Sequence, residues 1–242
     1  MIEFLCGSRQ VPKIIGQGSS IQSGRNNLSP TPGCSAHLLV LEGLDGVGKT
    51  TQARKLALAL ARCGFEVVLT REPSHGPWGR QLRELLSRKG QALPPEKALE
   101  LFLADRRDHV DRVIKPALAA NRLVITDRYY FSTLAYQGAA GLDPEFIRQQ
   151  HAGWAPPPDL VLVLEVPLEE LARRLTQRIE EPAAVFEKLD FLARVQQIWH
   201  SFTDPCLRRI DGRGTPEEVH QRLWELVCTW LGLPARCRPL ES

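Results

Sequence analysis

The residues of this chain that are best suited to chemistry lie together in one glycine-rich segment, Gly43-Leu44-Asp45-Gly46-Val47-Gly48-Lys49-Thr50. Its spacing is G-x-x-x-x-G-K-[ST], in which the glycines let successive backbone N–H groups face one point. An apolar run at residues 38–41 precedes the segment and a helical pattern follows it, so the positive end of a helix dipole would add to the attraction for phosphate. Lys49 would reach the β- and γ-phosphates, and the Thr50 hydroxyl would ligate Mg²⁺. We therefore expect this segment, with Thr51, to bind a nucleoside triphosphate.

Arginines stand where they would face the same crevice. Arg71 follows a predicted strand at residues 65–69, Arg128 follows another at residues 123–126, and Arg106 lies in a helical pattern. Ligands of doubly wound sheets bind beyond the carboxyl ends of the strands, where Arg71 and Arg128 would lie. Several arginines converging on a second position indicate a second phosphate. The guanine-reading N-K-x-D of GTPase switch proteins and the apolar run ending in Asp-Glu of transport and motor ATPases are absent from the sequence, which disfavours both classes.

Strands and helices alternate along the body of the chain. Strands are predicted at residues 38–41, 65–69, 123–126, 160–166 and 207–210, and helices at residues 50–62, 95–120, 168–178, 186–202 and 216–231. This order favours a parallel sheet that is covered on both faces. We expect the three-layer α/β/α P-loop NTPase fold with a mostly parallel, five-stranded central sheet.

Composition and charge indicate a soluble globular protein. The chain has 242 residues, 43% of them hydrophobic and 24% charged, with a net charge of +3 that indicates neither a nucleic-acid nor a membrane partner. Residues 1–36, rich in Gly, Ser, Asn and Pro, are predicted to be a flexible extension before one domain at residues 37–232 and a tail at residues 233–242. The scattered cysteines favour reduced thiols in the cytoplasm, or in an organelle if residues 1–36 are a transit peptide.

Four segments resemble the signature motifs of thymidylate kinases, P-loop enzymes that phosphorylate dTMP. They are LEGLD at residues 41–45, TREP at 70–73, LFLADR at 101–106 and ITDRYYFSTLAYQG at 125–138. They stand in the expected order within a match from about residue 38 to about residue 231. The resemblance implies ATP-dependent phosphorylation of dTMP to dTDP, with Mg²⁺ as cofactor and with ATP and dTMP as small-molecule substrates.

The resemblance also implies residues that recognise the thymine base. Phe102 would stack on the base, and Thr133 would help to read the pyrimidine. Arg71 and Gln137 would contact the polar edge of the base or the hydrogen-bond network beside it. Arg106 follows Phe102 by one helical turn and therefore shares its face of the helix. A role for Phe102 as an ordinary core residue stays open.

The sugar and the phosphate would meet a second group of residues. Asp45 would accept a hydrogen bond from the 3′-hydroxyl, and Tyr136 would pack near C2′, where a ribose hydroxyl would clash. Arg106 and Arg128 would be directed towards the monophosphate or its surroundings. Asp45 as an ordinary loop carboxylate and Arg128 as a structural ion-pair partner are the alternatives.

Catalysis of this kind needs no general base, because a phosphate monoester has a second pKa of about 6. Lys49 and Arg128 would align the two substrates and neutralise charge on the transferred group. Thr50 would bind Mg²⁺ directly, and Asp127 would bind it through water or align the loop. Asp127 could equally cap the following helix, and the two roles are compatible.

A further catalytic arginine is expected from a lid at about residues 173–187. Some family members carry this arginine in the phosphate-binding loop, where this chain has Gly46, and those with glycine usually supply it from a basic lid. Arg178 is the predicted lid arginine and Arg174 the second choice. Ala-Val at residues 184–185 replaces the usual Asp-Arg pair, so a solvated helix end is the alternative.

Three wider questions remain open at the level of the sequence. The substrate could be a related pyrimidine monophosphate such as dUMP. The protein could also be a nucleotide-binding regulator with weakened catalysis, given its atypical lid. Helical apolar patterns at residues 95–120 and 146–154 leave room for a homodimer face, and we expect a homodimer.

Overall fold

The computed structural model describes residues 14–15, 36–87, 93–176 and 182–233, and of residues 14–15 and 182–188 it describes the backbone alone. The strands are β1 Ile14–Ile15, β2 His37–Gly43, β3 Val67–Arg71, β4 Leu123–Asp127, β5 Leu160–Glu165 and β6 Leu207–Asp211. The helices are α1 Lys49–Arg62, α2 Pro77–Ser87, α3 Pro95–His109, α4 Lys115–Ala119, α5 Tyr130–Ala139, α6 Pro144–Gln149, α7 Leu168–Thr176, α8 Pro182–Ser201 and α9 Pro216–Trp230. A π-helical turn, Val110–Ile114, joins α3 to α4.

The strands form one parallel sheet in the order β1-β3-β4-β2-β5-β6. The predicted five-stranded sheet is confirmed, and the two-residue β1 adds a short edge beside β3. Parallel crossovers are right-handed. The connection from β2 through α1 leads towards β3, whereas the connections after β3, β4 and β5 lead in the opposite direction along the sheet. The helix α1 therefore lies on the other face of the sheet from the helices of those three connections. The chain changes direction on either side of β2, so a ligand crevice is expected at the carboxyl ends of β2 and β4.

Continuous apolar strands form the core. In β2, the side chains of Leu38, Leu39, Val40 and Leu41 are at most 1% exposed. A strand that is apolar at every position must be covered on both faces, as the sheet order requires. On α1 the predicted i, i+3, i+4, i+7 stripe of Ala53, Leu56, Ala57 and Leu60 is buried. The central strand and this first helix therefore hold the glycine-rich segment between two fixed elements.

Several element bounds differ from the sequence predictions. The predicted helix at residues 95–120 is α3, the π-helical turn and α4 in succession, and α8 begins at Pro182 rather than at residue 186. The helix α2 was not predicted. It begins at Pro77, whose fixed φ suits a first helical position, but Gly79 lowers the helix propensity of its first turn. Glycine is needed there because a Cβ would lie 2.0 Å from the carbonyl oxygen of Ser74.

No helix among the described ranges is long and apolar enough to cross a bilayer. Most of the predicted extension at residues 1–36 lies outside the described part of the chain. Within it, Ile14 and Ile15 pair with Val67 and Val68, at the amino end of β3.

Candidate active site

The glycine-rich segment is a tight loop between β2 and α1. Gly43, Gly46 and Gly48 have φ values of 130°, 89° and 103°, a region that residues with a side chain rarely adopt. At Gly43 a Cβ would also lie 2.4 Å from the carbonyl oxygen of Leu164 in β5. Gly48 occupies the N-cap of α1 and has no side chain to satisfy the first N–H groups of the helix. The loop is therefore shaped to present backbone N–H groups to an anion.

Lys49 lies buried under this loop. Its ammonium donates hydrogen bonds to the carbonyl oxygens of Gly43, at 3.0 Å, and of Leu44, at 2.7 Å. Burial, and then the positive charge of Arg128, lowers the pKa of Lys49 to about 7. A phosphate anion in the loop would favour the charged ammonium and oppose both effects.

Thr50 and Asp127 bring hard oxygen donors together beside Lys49. The Thr50 hydroxyl donates a hydrogen bond to Oδ2 of Asp127, which ends β4 opposite Leu41 of β2. A hydroxyl and a carboxylate beside a phosphate site are the donor types that Mg²⁺ takes from P-loop proteins, with waters and phosphate oxygens completing its shell. The two residues thus fit the predicted metal site. The carboxylate of Asp127 contacts Thr50. At the start of α5, the Glu42 carboxylate accepts hydrogen bonds from the N–H groups of Tyr129 and Ser132.

Arg128 connects the loop with the neighbouring pocket. Its φ of 77° is unusual for a residue with a side chain. The guanidinium donates to the Gly43 carbonyl at 3.3 Å, to Oδ1 of Asp45 at 2.7 Å and to the Ser132 hydroxyl at 2.7 Å. It also lies 5.1 Å from the centre of the Tyr136 ring. The predicted ion-pair role of Arg128 is therefore present, and its position still puts the charge at the junction of loop and pocket.

Beside Arg128 lies a cavity of about 560 Å³, a size typical of sites for small organic ligands. Every residue predicted to contact dTMP lines it: Asp45, Arg71, Phe102, Arg106, Arg128, Thr133, Tyr136 and Gln137. Asp45 and Tyr136 are tied together there, because the Asp45 N–H donates to the Tyr136 hydroxyl at 3.2 Å. The structure therefore brings the whole predicted set to one place.

Arg106 is held by a buried polar network at the cavity wall. Its side chain is 1% exposed and donates to Oε2 of Glu72 through Nε at 2.8 Å and through Nη2 at 2.6 Å. Nη2 also donates to the Thr133 hydroxyl at 2.9 Å, and Nη1 contacts Nε2 of His151 at 2.6 Å. Burial opposes ionisation of Glu72, but Arg106 and then His109 lower its pKa below the ordinary value. The pair is therefore ionised, and its charges cancel within the wall.

The protonation of His151 follows from its partners. Nδ1 lies 2.8 Å from the carbonyl oxygen of Ile147, which can only accept, so Nδ1 carries the hydrogen. Nε2 then accepts from Arg106. Burial and the charge of Arg106 lower the pKa of His151 to about 3. His151 is therefore a neutral acceptor that fixes one side of the Arg106 guanidinium.

Sequence reasoning missed these supporting residues. Glu42 and Glu72 stand inside segments that resemble family motifs, and this was the available signal for them. His109 and His151 gave none, because His109 contacts Glu72 across 37 residues of chain and His151 contacts Arg106 across 45. Such partners become visible only when α3 is packed against the residues that follow β3 and those that follow α6.

The predicted lid lies largely beyond what is described. Arg178 falls in residues 177–181, outside the described residues, and of residues 184–185 the backbone alone is described. Arg174 lies in α7, where it donates to Glu170 at 2.8 Å and to the Gly212 carbonyl at 3.1 Å. Gly46 faces the same helix, since a Cβ there would lie 3.3 Å from Leu171. The helix that leads into residues 177–181 thus packs beside the loop.

A family model described as thymidylate kinase matches residues 41–223. The thymidylate kinase of Desulfotalea psychrophila is 44% identical over 194 residues, which cover 80% of this chain and 94% of the relative. That of Akkermansia muciniphila is 42% identical over 186 residues, covering 77% and 88%.

A solved structure gives the same result at the level of the fold. The thymidylate kinase from Ehrlichia chaffeensis superposes with a TM-score of 0.64 and 28% identity, over 80% of this chain and 99% of that one. With the phosphate-binding loop, the adjoining cavity and the match over most of the sequence, the chain belongs to the thymidylate kinase family of nucleoside monophosphate kinases.

Proposed function

We propose that this protein transfers the γ-phosphoryl group of ATP to dTMP and releases dTDP and ADP. The observation that carries this proposal is the position of Arg128. Its guanidinium bonds to Gly43 of the phosphate-binding loop and to Asp45 at the cavity that holds all predicted dTMP contacts. The ends of the two substrates would therefore meet at one charged group.

The arrangement of charges gives dTMP a direction in the cavity. The charge of Arg106 is neutralised by buried Glu72, so Arg106 is a poor phosphate ligand and a good donor to a neutral base, next to Thr133 and Phe102. Arg71 is exposed at the end of β3, opposite Asp127 of β4. We propose that the base lies at Arg106 and the 5′-phosphate at Arg71 and Arg128. This changes the sequence-based expectation that Arg106 is directed towards the monophosphate or its surroundings.

The sugar would lie between these ends. Tyr136 packs beneath Arg128 and accepts from the Asp45 N–H, and these contacts would hold its ring in place against a ribose 2′-hydroxyl. Steric exclusion at Tyr136 supports a preference for deoxyribose. The Asp45 carboxylate, at the mouth of the cavity, would accept a hydrogen bond from the 3′-hydroxyl.

The reaction would proceed by alignment and charge neutralisation. At neutral pH the dTMP phosphate is already largely ionised, since its second pKa is about 6. Lys49 would bind the β- and γ-phosphates of ATP, and Arg128 would bind the phosphate of dTMP. Thr50 and Asp127 would hold Mg²⁺, directly and through water, and this ion supplies neutralising charge to the phosphate oxygens when bound. We also propose Arg178 as the lid arginine and Arg174 as the second choice, because α7 carries the chain past Gly46.

A coupled ADP-release assay tests the function. With ATP and Mg²⁺ we expect release of ADP that depends on dTMP, is at least tenfold slower with UMP or CMP, and is abolished in Lys49→Ala. A parallel measurement with dUMP defines the contribution of the 5-methyl group. Binding of ATP without dTMP-dependent release of ADP would overturn the proposal and favour a regulatory nucleotide-binding protein.

We further propose that the protein is a homodimer. Phe146 on α6 is 49% exposed, within the apolar pattern that was predicted as a contact face. Light scattering of wild type and of Phe146→Glu tests this assignment, with a dimer expected for the first and a monomer for the second. A cytoplasmic location stays a prediction from the sequence.

A further inference from the structure

Glu42 is a buried carboxylate directly behind the proposed phosphate site, and the proposed mechanism does not use it. It is the next-to-last residue of β2, and it is 0% exposed. Its Oε1 accepts from the backbone N–H of Tyr129 at 2.9 Å and of Ser132 at 3.1 Å. Its Oε2 accepts from the Ser132 hydroxyl. The carboxylate therefore contacts the segment that follows Arg128 at three points.

The direction of the hydrogen bonds between Glu42, Ser132 and Arg128 is fixed by chemistry. A guanidinium has donors and no acceptor, so Ser132 must accept the 2.7 Å hydrogen bond from Nη1 of Arg128. The one hydroxyl hydrogen of Ser132 is then available for Glu42. The chain of bonds runs from Arg128 through Ser132 to the carboxylate.

Glu42 also fixes the helix that carries Ser132. The N-cap residue of α5, Tyr129, makes no side-chain capping bond, and the Glu42 carboxylate accepts from the N–H groups of Tyr129 and of Ser132, the third helical residue, instead. A negative charge at this end of a helix is favourable. Immediately before it, Arg128 has a positive φ, so the direction of its side chain depends on how the start of α5 is held.

We propose that Glu42 is a positioning residue that aims the Arg128 guanidinium at the 5′-phosphate of dTMP through the Ser132 hydroxyl. This rests on the phosphate-binding role proposed above for Arg128. Burial raises the pKa of Glu42 to about 6, against the opposing effects of Arg128 and Ser132. At neutral pH the carboxylate is thus largely ionised and able to accept all three hydrogen bonds.

The test compares the binding of dTMP with that of thymidine, which lacks the phosphate. Both are titrated calorimetrically into wild type, Glu42→Gln and Ser132→Ala. Glutamine keeps an oxygen for the two backbone N–H groups but turns an NH₂ group towards Ser132, which can no longer donate there. Ser132→Ala removes the hydroxyl and keeps the backbone cap. We expect each variant to bind dTMP about tenfold more weakly, with less than twofold change for thymidine.

Because the two residues act in one chain of bonds, the double variant should also lose about tenfold rather than about a hundredfold. Glu165→Gln is the matched control. Glu165 is the last residue of neighbouring β5, lies outside the cavity and pairs with Arg209 of β6. Its replacement should leave the affinities for dTMP and thymidine unchanged.

Equal weakening of dTMP and thymidine, or no weakening of either, overturns the role of Glu42. If Glu42→Gln does not fold, as shown by thermal unfolding, Ser132→Ala decides the question alone. Arg128→Ala separates this inference from the proposed function. A normal preference of Arg128→Ala for dTMP over thymidine would refute the phosphate role of Arg128. Loss of that preference in Arg128→Ala, with wild-type values in the other two variants, would refute the positioning role alone.

Discussion

Two arginines of the cavity wall, Arg106 and Arg128, have different proposed roles because their partners differ. Arg106 is paired with Glu72, whose side chain is 3% exposed, and is bonded to Thr133. Arg128 contacts the phosphate-binding loop and is paired with Asp45, whose side chain is 49% exposed, so water screens this second pair. Both positions were predictable from motifs. Their different roles were not, because the carboxylate that pairs with Arg106 comes from another element. An arginine that is paired with a buried carboxylate is suited to hydrogen bonding with a neutral group, and an arginine beside a phosphate-binding loop is suited to binding an anion.

At this scale His151 gives the protein a measurable dependence on pH. The unfolded chain binds a proton at His151 near the ordinary pKa of 6.5, while the folded protein does so only near pH 3. The stabilisation is present above pH 6.5 and is lost as the pH falls below that value. Between pH 7 and pH 5 the unfolding free energy should fall by about 2 kcal/mol through this group. His151→Asn keeps an acceptor for Arg106 and should lack this part of the decline.

Urea unfolding of wild type and His151→Asn at pH 7 and pH 5 measures the difference. His75→Asn, at an exposed histidine, serves as the control and should follow wild type. A decline in His151→Asn as steep as that of wild type would mean that His151 already binds its proton in the folded protein near pH 6.

At the scale of elements, the wall formed by α2 and α3 depends on close packing that the sequence conceals. Leu86 of α2 and Phe102 of α3 both line the cavity. The turn before α2 is fixed by Asp105 of α3, which accepts from the Ser74 N–H at 2.7 Å and from its hydroxyl at 2.5 Å. Gly79 fits directly against this turn.

Replacement of Gly79 by alanine should therefore destabilise the protein, although alanine favours helices. A Cβ would lie 2.0 Å from the Ser74 oxygen and 2.6 Å from its nitrogen, so α2 must shift. Overpacking of this kind costs about 2 kcal/mol. We expect a lower unfolding free energy in urea and a several-fold higher KM for dTMP, with KM for ATP unchanged. Ser87→Ala, at the other end of α2, should change none of these quantities, and a gain of stability in Gly79→Ala would contradict the close packing at Ser74.

At the scale of the whole molecule, the regular parts of the fold were predictable and the contacts between distant elements were not. Apolar runs and helical periods located β2, β4, β5, α1 and α9, because burial on both faces or on one stripe leaves a mark in the sequence. The helix α2 was missed, since Gly79 serves packing rather than helix propensity. The cavity set was predictable through the resemblance, but the buried support from Glu42 and His151 depends on how α5 and α6 pack.

The position of β1 in the sheet yields a prediction about residues 1–35. Ile14 and Ile15 pair with Val67 and Val68 at the amino end of β3, whereas Arg71, Asp127 and the phosphate-binding loop lie at the carboxyl ends of the strands. Removal of residues 1–35 should therefore leave kcat and both KM values within twofold of wild type. Loss of a two-residue ladder at a sheet edge should lower the unfolding free energy by about 1 kcal/mol. Steady-state kinetics and urea unfolding of the two proteins measure these effects. A large rise in KM for dTMP after truncation would show that the segment reaches the opposite end of the sheet.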